Sequence, residues 1–104
     1  MAGQYSINIE PEAVDDIQKA VDYYNSKKTG LGKKFYNKID KSLNYLKKYC
    51  YSFSIRYDDI RCMPLKNFPY MIHYIIQEKP RKSVSVIAVF STYENPEKWE
   101  DRLY

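Results

Sequence analysis

Two amphipathic helical stripes joined across the short stretch Thr29-Gly30-Leu31-Gly32 constrain this chain more than any other feature. Val14, Ile17, Val21 and Tyr24 recur at spacings of 3, 4 and 3, the period of one helical face. Pro11 suits a first helical turn, Glu10, Glu12, Asp15 and Asp16 crowd the positive end of the helix dipole, and Lys27 and Lys28 sit at the other end. A first helix over 11–27 follows. From Leu31 onward, Leu31, Phe35, Ile39, Leu43 and Leu46 recur at 4, 4, 4 and 3. So short a link forces an antiparallel helical hairpin, and neither helix hides its stripe alone. A flat apolar surface has to cover both.

The rest of the chain supplies it. "YSINI" (5–9) alternates with period 2, as do "SIRY" (54–57), "IRCMPL" (60–65), "YMIHYIIQ" (70–77) and "SVSVIAVFS" (83–91). Asp58-Asp59 reads as a tight turn and 78–82 as a polar hairpin loop. Tyr70, Ile72, Tyr74 and Ile76 fall on one face of their strand, and Val84, Val86, Ala88 and Phe90 on one face of the next. His73 is out of phase with its neighbours and is expected on a solvent- or partner-facing side. "NPEKWEDR" reads as a short terminal helix with Asn95 as cap and Pro96 at its first position. The expected class is α+β: an N-terminal strand and helical hairpin packed on a four- to five-stranded, largely antiparallel sheet, forming a single domain over 1–104.

Charge is distributed unevenly. Residues 31–50 hold six Lys/Arg against one Asp/Glu, and residues 51–82 six against three, while both ends are acidic. Such a basic block suits a phosphate-bearing or acidic protein partner, and it also suits a solvated helix face. Twelve tyrosines among 104 residues suit half-exposed contact surfaces. Two cysteines, Cys50 and Cys62, and the single histidine make no metal pattern, so neither metal nor cofactor is expected. No apolar run matches a membrane span or a signal peptide, which points to the cytoplasm and reduced thiols.

The ordered pieces "EPEAVDDIQKAVDYYNSKKTGLGKKFYNKIDKSL", "IRCMPLKNFPYMIHYII" and "VIAVFSTYENPEKW" resemble the RelE/ParE toxin superfamily of bacterial type II toxin–antitoxin systems, which includes plasmid-stabilisation toxins. In this resemblance Phe68-Pro69-Tyr70 and Asn95-Pro96 are scaffold marks at strand ends. The resemblance implies growth inhibition, an acidic and partly disordered antitoxin, and either DNA gyrase or ribosome-bound mRNA as target. A small homo-oligomer is compatible with it. Arg61 matches the family's Arg before Pro-Leu, and Lys66 the basic residue before Phe-Pro-Tyr. RNA-cleaving members often carry a His and Arg before the Asp/Asn-Pro, where this chain has Ser91, Thr92, Tyr93 and Glu94. Loss of these phosphate-stabilising and proton-transferring groups favours a ParE-like binding toxin over a nuclease. Arg61, Lys66 and Tyr93 are the candidates if cleavage survives. Lys34, Lys38, Lys41, Arg61, Lys66, Tyr93 and Trp99 are the candidates for partner contact, with Trp99 alternatively a lid beside Phe90. A RelE-like mRNA interferase, a non-toxic member and a small RNA-binding module remain the alternatives.

Overall fold

A strand, two long helices and four further strands follow one another along the chain in the computed structural model, which describes residues 4–93. They are β1 (Ser6–Ile9), α1 (Pro11–Lys27), α2 (Leu31–Tyr49), a single 3₁₀ turn (Cys50–Ser52), β2 (Ile55–Tyr57), β3 (Ile60–Pro64), β4 (Tyr70–Gln77) and β5 (Ser83–Ser91). The expected terminal helix and Trp99 lie outside the described residues. Among the described residues, no helix is long and apolar enough to cross a membrane.

The strands form one five-stranded sheet in the order β1-β5-β4-β3-β2. The β2–β3, β3–β4 and β4–β5 pairs are antiparallel, whereas β1 runs parallel to β5, so the sheet is mixed. The parallel pair arises because the hairpin and three strands intervene before the chain returns beside β1. Asp58, with φ 46°, turns β2 into β3, and Gly30, with φ 89°, sits at the start of α2. A glycine adopts that left-handed backbone without strain.

The hairpin packs closely. The Gly32 amide donates to Asn25 Oδ1 at 2.9 Å, and a Cβ at Gly32 would stand 2.5 Å from the Val21 carbonyl oxygen. Ile17, Ala20, Phe35, Ile39 and Leu46 close the main core onto Ile72, Tyr74, Val84, Val86 and Val89 of the sheet. Val14, expected in the buried stripe, is instead 50% exposed. The hairpin meets the sheet through small Ala13 and Ala20 beside Ile17, which rolls α1 so that Val14 turns outward.

The expected alternation along β5 breaks at a bulge. Tyr74 pairs with Val86 and His73 with Ala88, leaving Ile87 as an extra residue. Val84, Val86 and Val89 therefore face the helices, while Ala88 and Phe90 turn to the opposite face. β1 ends at Ile9, and α1 returns over the open edge of β5, where Asp16 Oδ2 accepts from the Val89 amide at 3.0 Å.

Candidate partner-binding surfaces

The residues singled out from sequence occupy three separate places. At one end of the sheet, the Leu65 amide donates to the Tyr70 carbonyl at 2.9 Å, and the Thr92 amide donates to the Pro69 carbonyl at 2.7 Å. These bonds tie the 65–69 loop to the exit of β5 and put Lys66 and Tyr93 at one end of the molecule. Asn67, with φ 74°, shapes that loop. Tyr93 is 86% exposed, and its amide donates to Ser91 Oγ at 3.1 Å. Beneath the loop, Phe68 and Tyr70 join Tyr24 and Phe35 in an aromatic cluster with ring centroids 5.1–6.0 Å apart.

Arg61 lies elsewhere. It pairs in register with Tyr74, four positions along β4 from Tyr70, which at strand rise is roughly 13 Å. Its Nη1 donates to the Phe53 carbonyl at 2.7 Å, and its guanidinium stands 4.9 Å from the Tyr51 ring centroid. Both contacts pin the segment after α2 to the sheet. Beside it, Tyr5 Oη donates to Glu78 Oε2 at 2.6 Å, and Tyr51 Oη donates to the same oxygen. The two phenols lower the Glu78 pKa, and the carboxylate in turn raises that of each phenol. A cleft of about 210 Å³ opens here between Tyr51, Ile55, Asp59, Arg61, Ile75 and Ile76. Asp59 places a carboxylate on the same lining as Arg61, which disfavours an incoming phosphate.

His73 corrects a further expectation. Rather than facing solvent or a partner, it is 0% exposed on the sheet face away from the helices. It stands among Ile60, Cys62, Met71, Ala88 and Phe90, which form a second core. The Tyr57 hydroxyl lies 2.8 Å from His73 Nδ1, and Cys62 Sγ lies 3.4 Å from the same nitrogen. Burial pushes the Cys62 thiol up to about 11, away from the thiolate a nucleophile needs. The sequence held the signal in the nearly unbroken apolar run of β4, typical of strands covered on both faces.

Another concave surface was not anticipated residue by residue. A groove of about 420 Å³ lies between α1 and α2, lined mainly by Ile9, Val14, Ile17, Val21, Lys33 and Tyr36. Exposed Val14 and Tyr36 form its rim. The close approach at Gly32 sets its floor. The α2 candidates named from sequence, Lys34, Lys38 and Lys41, stand on a different flank, because helical spacing turns them roughly 80–140° from Lys33. The basic block is therefore split between two faces.

No protein-family model matches the chain, and no curated protein sequence does. Among solved structures, its fold is similar to that of a chain from the chromosomal ParDE TA system from P. aeruginosa, at a TM-score of 0.74 and 13% sequence identity, over 86% of this chain and 98% of that one.

Proposed function

We propose that this protein is the toxin of a type II toxin–antitoxin pair and that it acts in a ParE-like manner, by binding its target rather than by cutting RNA. The observation that carries the reading is the fold likeness to a ParDE system chain over nearly all of that chain's length. The disposition of charged groups supports the ParE-like half. Arg61 is engaged by Phe53 and Tyr51, remote from Lys66 and Tyr93, and His73 is sealed in the second core. A scissile phosphate would need several such groups converging on one point.

The partner in this reading is an antitoxin whose apolar segment fills the α1–α2 groove. Val14 and Tyr36 would anchor it, and Lys33 would meet an acidic side chain. Lys66, Tyr93 and Trp99 remain the candidates for contact with the toxin's target. The test is induced expression without any neighbouring gene, followed by a supercoiling assay with purified gyrase. Growth arrest with inhibited supercoiling is expected. Normal growth with undisturbed supercoiling overturns the toxin reading, and codon-positioned mRNA cuts overturn its ParE-like half.

A further inference from the structure

The α2 flank turned away from α1 carries a row that the groove does not use. Lys34, Lys38, Lys41, Tyr45 and Lys48 recur at spacings of 4, 3, 4 and 3, one line along the helix. By helical rise the row spans roughly 21 Å. Asp40, the one carboxylate of α2, is turned away from it. Tyr45 is 43% exposed and Tyr49 is 52% exposed. Their rings pair at 4.8 Å between centroids with a 39° tilt, and Phe53 abuts Tyr45 at 6.3 Å. Phe53 thus braces the pair from the sheet side, while the lysines border it.

We propose that this flank binds single-stranded nucleic acid, with bases stacking on Tyr45 and Tyr49 and phosphates meeting Lys34, Lys38, Lys41 and Lys48. Cations spaced along a line with aromatic faces among them are what a sequence-tolerant single-strand binder needs. An acidic peptide would satisfy the lysines equally well. It would also need aliphatic pockets for its anchors, and this flank offers flat phenol rings instead. A duplex would leave the rings without unstacked bases. The proposal stands independently of the toxin reading, since it uses neither the groove nor the Lys66–Tyr93 end.

The experiment measures fluorescence anisotropy of labelled oligouridylate and oligothymidylate, each of roughly 12 nucleotides, against the purified full chain. Binding that weakens steeply with salt is expected. The double variant Tyr45→Ala/Tyr49→Ala should lose about tenfold or more in affinity. Lys38→Glu/Lys41→Glu changes two lysines outside the core and should lose at least as much while keeping its circular dichroism and melting temperature. Tyr23→Ala, an exposed ring on α1 outside both the flank and the groove lining, should bind like the parent chain. Tighter binding of oligouridylate assigns the site to RNA, tighter binding of oligothymidylate to DNA, and either supports the proposal. Absence of binding at low salt overturns it, as does affinity unchanged by both flank variants. A labelled glutamate-rich peptide that depends on Tyr45 and Tyr49 while the oligonucleotides do not bind would make the flank a protein-docking surface instead.

Discussion

At Tyr74 a fully buried ring carries its hydroxyl to the Cys50 carbonyl, donating at 2.6 Å. Burial raises the phenol's pKa, so the group stays a donor throughout the physiological range. Tyr74→Phe keeps the ring and strands a carbonyl where α2 ends. It should cost about 1–3 kcal/mol in urea unfolding, with the slope of the transition unchanged. The Tyr5–Glu78–Tyr51 cluster predicts a pH dependence instead. Glu78 has a lowered folded pKa, so its contribution is complete above the ordinary glutamate value of about 4.3 and is lost as pH falls through the folded value. The phenols have raised folded pKa values, so their contribution is complete below the ordinary tyrosine value of about 10 and is lost as pH rises beyond it. Glu78→Gln should flatten both the acid limb and the alkaline limb of a melting-temperature profile, while Tyr5→Phe should leave part of the acid limb through Tyr51. None of these pairings is visible in sequence, because Tyr5 and Glu78 lie 73 positions apart.

Among the elements, the hairpin depends on one close approach. Gly32→Ala would put a methyl group 2.5 Å from the Val21 carbonyl oxygen, so the helices must separate or slide. About 1–3 kcal/mol of destabilisation is expected from thermal or urea melts. Gly30→Ala meets no neighbour within 4 Å and carries only backbone strain at φ 89°, so about 1–2 kcal/mol is expected from a different cause. Their effect on the groove separates the two. Gly32→Ala should also weaken partner capture, and Gly30→Ala should not. The edge of β5 offers a parallel case. Asp16→Ala removes the acceptor of the Val89 amide and should destabilise by about 1–3 kcal/mol, whereas Asp16→Asn keeps an oxygen there and should cost less. The helical stripes, the strand positions and the turn at Asp58 were legible because each follows from local periodicity or backbone preference. The β5 bulge was not, since the extra residue Ile87 is defined only by its pairing with β4.

At the scale of the whole molecule, the two proposed binding surfaces lie apart. The α1–α2 groove and the α2 flank are set on opposite sides of one helix, so a groove-bound partner leaves the Tyr45–Tyr49 row open. Val14→Glu puts a charge on the groove rim at a half-exposed position. It should leave the melting temperature nearly unchanged while reducing co-purification of an acidic partner by about tenfold or more. Retained capture with Val14→Glu would remove the groove as the docking site.

The sequence by itself determined the α+β order, the hairpin and the helix-facing row Tyr70, Ile72, Tyr74 and Ile76, because these depend on side-chain period within one segment. It also held the lysine row of α2, since that is a spacing on one helix. Only the tertiary structure decided that Arg61 stands apart from Lys66 and Tyr93, that His73 is buried in a second core, and that Val14 faces outward. Those outcomes depend on strand register, on what covers each sheet face and on how far a helix rolls. Each of these is set by contacts between segments distant in the chain, where local periodicity carries no information.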